Sequence, residues 1–326
     1  MLLNNKYDLG FFPTPIHSLS NLSLKYPKYN LFIKRDDLTG LASGGNKTRK
    51  LEYLIQDAIN NNCEIILTAG AQQSNHCRQT AAACSIAGLE CHLLLGGTKP
   101  DKFDGNLLLS YLLGANIHFT GENRKGEDIE SLKTALEKKG KKSYTIPYGG
   151  SNIKGALGFV NAIKELKDQL IEQKLDIDYI FFASSSGGTQ AGMILGSDLF
   201  DLDIEFCPIN IDKENNSEIS LEENILNIIN DGKIILNIKK DFQLEDITLI
   251  RDYDKDGYGV VTDKEIKAIK ELATTEGVFL DPVYTGRAFY GMLDYLKKKK
   301  LKPNSNILFW HTGGLPSIFH SADKLI

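Results

Sequence analysis

Cysteine is scarce in this chain of 326 residues, with five in all: Cys63, Cys77, Cys84, Cys91 and Cys207. The number is odd and no two are spaced Cys-x-x-Cys, which argues against a disulfide framework or zinc ribbon and fits a reducing cytoplasm. Cys77, Cys84 and Cys91 recur every seven residues, but Gly88 interrupts any helix between the last two. We read them as buried, inert thiols. Long apolar runs are missing as well. The longest, such as 179–182 and 307–310, have strand length, far below the ~18 residues of a membrane span. The first twelve residues show neither an apolar h-region nor a small-residue cleavage site, so no secretory signal is expected. Excess basic charge is absent too. Against 38 Lys and Arg stand 42 Asp and Glu, a net charge of -4, which argues against a general nucleic-acid binder. The lysines at 297–300, with Lys302, end a helical pattern and read as a solvated helix end rather than a phosphate patch. There is no internal repeat, low-complexity segment or obvious linker.

What is present is ordinary for a globular protein: 42% hydrophobic and 25% charged residues, which excludes global disorder. The length gives a prior of about two domains. Apolar strand-like runs at 31–34, 64–68, 91–95, 116–119, 143–146, 179–183, 204–209 and 306–310 alternate with helical patterns. The helical patterns lie at 47–62, 75–87, 104–113, 128–138, 155–174, 189–199, 221–229, 263–276 and 284–299. Strands apolar throughout, alternating with helices, predict an α/β fold whose mostly parallel sheets are covered on both faces. Gly-rich stretches at 44–45 and 149–158 mark where the chain could cross between two lobes.

Four loops follow predicted strands, where open parallel sheets bind ligands. The first, 34–50, nearly imitates a phosphate-binding P-loop, with Gly40, Gly45, Lys47 and Thr48. Asn46, however, separates the glycine from the lysine, which argues against nucleotide. Paired glycines would instead let the backbone approach a flat ligand. Lys47, at the positive end of a helix, would have its amine pKa lowered, as a Schiff-base nucleophile requires; the alternative is an exposed lysine at a helix start. The second loop, 68–83, ends a strand and starts an Ala-rich helix at Ser74, whose free N–H groups form an anion site. Ser74 and Asn75 add donors for a carboxylate, and Ser74 can also cap the helix. His76 is either a core residue or part of this site. In the third, 182–193, the N–H groups of Gly187, Gly188 and Thr189, with the hydroxyls of Ser186 and Thr189, make a nest for a single phosphate. The fourth, 308–316, ends in Thr312-Gly313-Gly314 and by itself reads as a tight turn.

A further pattern, Asp252-x-Asp254-x-Asp256-Gly257 with Asp263 in twelfth place, imitates a calcium loop. The last ligand is Asp where a bidentate Glu is needed, and the preceding stretch is no clear helix. A solvated acidic loop presenting Tyr258 is the better reading, and no metal is expected.

A single-phosphate nest, a loop lysine and a carboxylate cradle together describe pyridoxal 5'-phosphate chemistry. The chain resembles the fold type II (tryptophan-synthase-β-like) pyridoxal-phosphate enzymes of the D-cysteine desulfhydrase and 1-aminocyclopropane-1-carboxylate deaminase branch. The resemblance is carried by Arg35-Asp-Asp-Leu-Thr, Gly44-Gly-Asn-Lys-Thr-Arg-Lys-Leu-Glu-Tyr, Ala71-Gln-Gln-Ser-Asn-His-Cys-Arg-Gln-Thr-Ala-Ala, Gly187-Gly-Thr-Gln-Ala-Gly, Asp281-Pro-Val-Tyr-Thr-Gly and His311-Thr-Gly-Gly. It implies two lobes with open, twisted sheets flanked by helices: residues 1–47 with 155–326 as the larger, cofactor-binding domain and 48–154 as the smaller. By the same resemblance Lys47 is the Schiff-base lysine, with Asn46 beside it, and Lys50 a phosphate-side lysine. Ser74, Asn75 and His76 form the substrate-carboxylate segment, with Asn75 near the cofactor O3'. Ser186 to Thr189 form the phosphate loop, and Tyr258 and Tyr284 are active-site tyrosines. Tyr284 and Thr285 are implied to bind substrate and Thr312 the cofactor; Thr285 follows Tyr284 where the cyclopropane-opening deaminases have glutamate, and Thr312 stands where they have leucine before the paired glycines. That pattern is desulfhydrase-like, and a neutral Thr312 beside the pyridine nitrogen gives a shallow electron sink that suffices for β-elimination. The implied reaction converts D-cysteine to hydrogen sulfide, pyruvate and ammonia. Lys47 acts as base, Ser74 and Asn75 hold the carboxylate, and Tyr284 or Tyr258 is the proton donor. The deaminase and an L-cysteate sulfo-lyase-like enzyme are the alternatives, and a small amino-acid substrate and a cytoplasmic homodimer are implied.

Overall fold

The computed structural model describes residues 2–212 and 219–326. Among these residues nine strands form: β1 (Ile16–Ser18), β2 (Tyr29–Arg35), β3 (Ile65–Gly70), β4 (Glu90–Leu95), β5 (Asn116–Phe119), β6 (Ser143–Thr145), β7 (Tyr179–Ser184), β8 (Glu205–Asn210) and β9 (Ser305–His311). The helices are α1 (Ser20–Lys25), α2 (Lys47–Asn60), α3 (Asn75–Ala87), α4 (Gly105–Leu112), α5 (Ile129–Glu137), α6 (Ile153–Gln173), α7 (Gly188–Leu199), α8 (Leu221–Leu236), α9 (Asp263–Glu276), α10 (Thr285–Lys297), α11 (Pro316–His320) and α12 (Ala322–Leu325). One sheet has the order β1-β2-β9-β7-β8 and the other β5-β4-β3-β6. All pairings are parallel except β1 with β2. The chain passes from the first sheet to the second through Gly44–Gly45 and returns after Gly149.

Every expected strand forms, with ends within two residues of expectation. Three-residue β1 and helices α1, α11 and α12 were not foreseen, being too short to show a period. Helix α8 continues past the expected end at 229. Ile225, Ile228, Ile229 and Gly232 keep a buried stripe, but exposed Ile234 and Ile235 blur it. Alternation along β7 and β9 sends Phe181 and Phe309 to a core under α9 and α10. It sends Ile180, Phe182, Leu308 and Trp310 to a second core with Phe159 and Ile163 of α6. Each such fully buried side chain contributes about 2–3 kcal/mol.

Helix α6 lies between α2 and α7, and glycines set both crossings. A Cβ on Gly158 would fall 2.2 Å from the Arg49 carbonyl oxygen, and one on Gly192 would fall 2.3 Å from that of Ala156. These close approaches draw the N-termini of α2 and α7 toward one another.

Beneath them lies a buried polar network. Arg49 donates to Asp36 (2.8 Å) and to Glu165 (2.9 Å), Lys34 donates to Glu165 and to Gln169, and Trp310 Nε1 donates to Asp36 Oδ2 (2.8 Å). Two cations thus meet two carboxylates. Burial alone would raise the Glu165 carboxyl, but Arg49 and Lys34 outweigh it and hold the pKa at about 2. A folded-state value below the unfolded 4.5 stabilises the protein above pH 4.5, by about 3 kcal/mol, and that part is lost as pH falls toward 2. Urea unfolding of Glu165→Gln at neutral pH should therefore show a loss of about 3 kcal/mol, with a flatter stability profile between pH 4.5 and 2. A profile as steep as that of the parent would contradict the assignment.

Candidate active site

A cavity opens where β7 and β9 end and where α2, α3 and α7 begin. Its walls include Asn46, Lys47, Ser74, Asn75, His76, Tyr148, residues 183–187, Thr189, Tyr284 and Thr312.

Lys47 is the first residue of α2. The turn before it needs Gly45, which has φ +133° and sits so close to α3 that a Cβ would come 2.6 Å from Gln79 Nε2. Asn46 N donates to the Thr312 carbonyl (2.9 Å), and Thr48 N to Gln79 Oε1 (2.9 Å). The lysine is therefore fixed between the last loop and α3. Burial lowers its amine pKa to about 8, with a hydrogen bond to the Lys50 amine working the other way. The main cause is desolvation. Lys50, one turn on, is held well below its ordinary value by burial and then by Lys47. Its Nζ donates to Gly149 O and Ser151 Oγ, both 3.1 Å. Among the described residues neither lysine has a carboxylate partner, and no Asp or Glu lines the cavity.

Ser74 caps α3, its Oγ accepting from Cys77 N (3.2 Å). Its own proton is left for a ligand, next to the first-turn N–H groups of α3. His76 Nε2 lies 2.9 Å from Thr68 Oγ1, whose one proton goes to the Ile146 carbonyl. Nε2 must then carry the ring's proton, and Nδ1 is a buried acceptor without a partner among the described residues. Burial, then Lys47 and Lys50, hold the His76 pKa well below its usual range. The neutral ring lines the cavity but has no free donor to offer a carboxylate; only the backbone N–H of His76 can serve.

At the start of α7, Gly187 has φ +85°. The N–H groups of Thr189 and Gln190, in the first turn, have no helical acceptor. Ser151 Oγ accepts from Gly188 N (3.1 Å) and meets Ser186 Oγ (2.8 Å), and Asn46 Nδ2 donates to Thr189 Oγ1 (3.2 Å). A Cβ on Gly188 would lie 2.8 Å from Ser151 Oγ and 3.0 Å from Lys50 Nζ. The glycine leaves the lysine and the helix start open to one ligand. Two buried amines without acids, facing free N–H groups, fit a phosphate monoester that carries an aldehyde.

On the far wall Tyr284 and Tyr258 meet hydroxyl to hydroxyl at 2.6 Å. The Arg124 guanidinium stacks 4.6 Å over the Tyr258 ring and pairs with Asp212 (3.3 Å). Burial raises the Tyr258 phenol to about 12 against Tyr284 and Arg124, and Tyr284 lies well above its usual value. Both are proton donors at neutral pH. Arg287 holds the Tyr258 loop through the carbonyls of Gly257 (2.9 Å) and Val260 (2.7 Å).

Two expectations change. Thr285 is fully buried away from the cavity, its hydroxyl and N–H both donating to the Asp281 carboxylate at 2.7 Å. It is the first residue of α10 and is not placed to touch substrate. In the acidic loop, expected to be solvated throughout, Asp254 is buried and turns inward to accept from Asn210 (2.7 Å). The sequence reading missed Tyr148, Ser151 and Arg124. The only signal for Tyr148 and Ser151 was that Tyr148-Gly-Gly follows a strand, as the other site loops do.

A family model described as pyridoxal-phosphate dependent enzyme matches residues 7–313. The chain is 38% identical over 317 residues to a D-cysteine desulfhydrase of Salmonella paratyphi A, covering 94% of this chain and 93% of that protein. It is 39% identical over 316 residues to a Pyrococcus abyssi protein named, provisionally, a 1-aminocyclopropane-1-carboxylate deaminase, covering 96% and 92%. A crystal structure of an ACC deaminase homologue superimposes with a TM-score of 0.90 at 36% identity, covering 99% of this chain and 97% of that one.

The Gly188 cradle predicts a selective defect. Gly188→Ala should weaken binding of pyridoxal 5'-phosphate at least about tenfold, read from visible absorbance, and leave binding of pyridoxal, which lacks the phosphate, unchanged. Equal losses for both ligands would place the phosphate elsewhere.

Proposed function

The chain belongs to the family of pyridoxal-phosphate dependent enzymes, and from that premise we propose that it eliminates the thiol of D-cysteine to yield hydrogen sulfide, pyruvate and ammonia. The observation that carries the choice of elimination is the absence of any carboxylate among the described residues of the cavity wall, where the Thr312 hydroxyl is the group we place beside the cofactor's ring nitrogen. Thr285 adds nothing to the choice, since it faces Asp281.

When bound, the cofactor supplies an electron sink for charge developing at the substrate α-carbon. In this reading Lys47 holds its aldehyde carbon, Asn75 its phenolic oxygen, and Lys50 with residues 187–189 its phosphate. Ser74 Oγ and the first N–H groups of α3 bind the substrate carboxylate and so fix which face of the α-carbon meets Lys47. With an amine pKa near 8, roughly a tenth of Lys47 is unprotonated at pH 7, far more than of an ordinary lysine, and can take the α-proton. Tyr284 gives its proton to the departing sulfur and is resupplied through Tyr258, 2.6 Å away. The remaining three-carbon fragment takes up one water and leaves as pyruvate and ammonia. The burial that lowers the amine pKa also excludes water from the α-carbon.

The same reading divides the chain into 1–47 with 155–326 and 48–154, supported by the segregation of β3–β6 into their own sheet. It also includes a homodimer. Exposed Leu38, Phe279 and Leu315 line one groove, and the Phe11 ring packs beside it on Gly40, a surface a second copy would cover. Five free, buried cysteines suit the cytoplasm. No described helix is long and apolar enough to cross a membrane.

The loaded enzyme should release sulfide from D-cysteine. Faster release of 2-oxobutanoate from 1-aminocyclopropane-1-carboxylate, or of sulfite from L-cysteate, would replace this reading with the deaminase or the sulfo-lyase. Tyr284→Phe should lower turnover by about 10²-fold or more with substrate binding little changed. A second expectation concerns the cofactor-free protein. Only the unprotonated Lys47 amine can capture the aldehyde, so the capture rate should climb with pH up to about 8 and then level off. Climbing on toward pH 10 would mean an ordinary, solvated lysine.

A further inference from the structure

Behind Asn75 lies a chain of side chains that no step above uses. Arg78, on α3 and fully buried, directs Nη1 at Asn75 Oδ1 (3.3 Å) and at Asn106 Oδ1 (2.8 Å), and Nη2 at the Gly44 carbonyl (2.6 Å). A guanidinium has donors only, so both asparagine amides must turn their oxygens toward it. Asn106 is thereby left with its NH2 group pointing away from Arg78, and Nδ2 donates to Asn75 Oδ1 (2.9 Å) and to the Gln73 carbonyl (2.9 Å). Asn106 is itself pinned by its backbone N–H, which donates to Gln73 Oε1 (2.8 Å). Asn75 Oδ1 therefore accepts twice, and its amide has one orientation. Asn75 lines the cavity, and its Nδ2 lies beside Gly314, where a Cβ would come within 2.9 Å of it.

We propose that Arg78 and Asn106 are positioning residues that lock Asn75 as a hydrogen-bond donor, so that the ligand oxygen it meets must be an acceptor, and a negatively charged one is favoured. The proposal rests on the reading above that this oxygen is the cofactor's phenolic one. A donor there stabilises the phenolate, and its loss raises the pH at which the bound cofactor's visible band titrates. An isosteric change of one atom inverts the lock. In Asn106→Asp the atom facing Asn75 Oδ1 becomes an acceptor, which turns the Asn75 amide around and presents oxygen to the ligand.

The test is a spectrophotometric pH titration of the cofactor-loaded protein, with melting temperatures measured in parallel. Asn75→Ala should raise the titration midpoint by about one pH unit, the size of one hydrogen bond. Asn106→Asp should raise it by at least as much in the parent and should not move it further in Asn75→Ala. Asn106→Ala, which frees the amide without inverting it, should give a smaller rise and serves if the aspartate variant does not fold. If Asn75→Ala leaves the midpoint in place, the placement of Asn75 at the cofactor is wrong and the proposal falls with it. If Asn75→Ala moves the midpoint but the Asn106 variants only lower the melting temperature, Asn106 is structural and the lock is refuted. A shift by Asn106→Asp that persists in Asn75→Ala would be a direct effect of the new charge and refutes it equally.

Discussion

Lys47 and Lys50 place two amines one helical turn apart in a pocket whose described walls carry no carboxylate. Below the same helix, Lys34 and Arg49 are just as buried, yet each is matched by Glu165 or Asp36. The chain thus neutralises one pair of buried cations internally and leaves the other for something else. An uncompensated buried charge either loses its proton or takes up a counter-ion. In the reading proposed above both happen: burial lowers both amines, Lys47 serves as nucleophile and base, and a phosphate brings the missing negative charge to the pair. One electrostatic imbalance accounts for both the cofactor and the reactive amine.

The fold serves that imbalance. Parallel strands β7 and β9 end at the cavity, helices α2, α3 and α7 start there, and each start contributes unpaired N–H groups to a common anion-binding surface. Gly158 and Gly192 allow α6 to hold α2 and α7 close together. The balanced ion network under Arg49 fixes the first turn of α2, and Gln79 and the Thr312 carbonyl fix the residues on either side of Lys47. On the opposite side, Asp281 and Arg287 do the same for the two tyrosines. Apart from Thr312, the residues that hold the reactive groups lie outside the cavity wall.

What could be read along the chain was local chemistry. Ser74, Asn75, Gly187 and Thr312 stand in short runs that directly follow apolar strands, Lys47 ends a longer glycine-containing loop after β2, and a strand-to-helix turn rich in Gly, Ser and Thr exposes its N–H groups wherever it occurs. Relations between distant segments could not be read. Arg124 comes from the loop after β5 and earns its place only by stacking on Tyr258, 134 residues later. The tautomer of His76 depends on Thr68 and, through it, on the Ile146 carbonyl. Thr285 misled for the opposite reason: it sits beside an active-site tyrosine in sequence, but one helical turn aims its hydroxyl back at Asp281. Strand β1 escaped notice because three residues cannot display an alternation.

The central claim is that one molecule satisfies both lysines at once. Difference density from crystals of the protein grown with pyridoxal 5'-phosphate measures this most directly. The account predicts density continuous with Lys47 Nζ at one end and a phosphate against residues 187–189, within hydrogen-bond reach of Lys50, at the other. A phosphate lodged away from the α7 start, or a Lys47 side chain unconnected to the ligand, would contradict it.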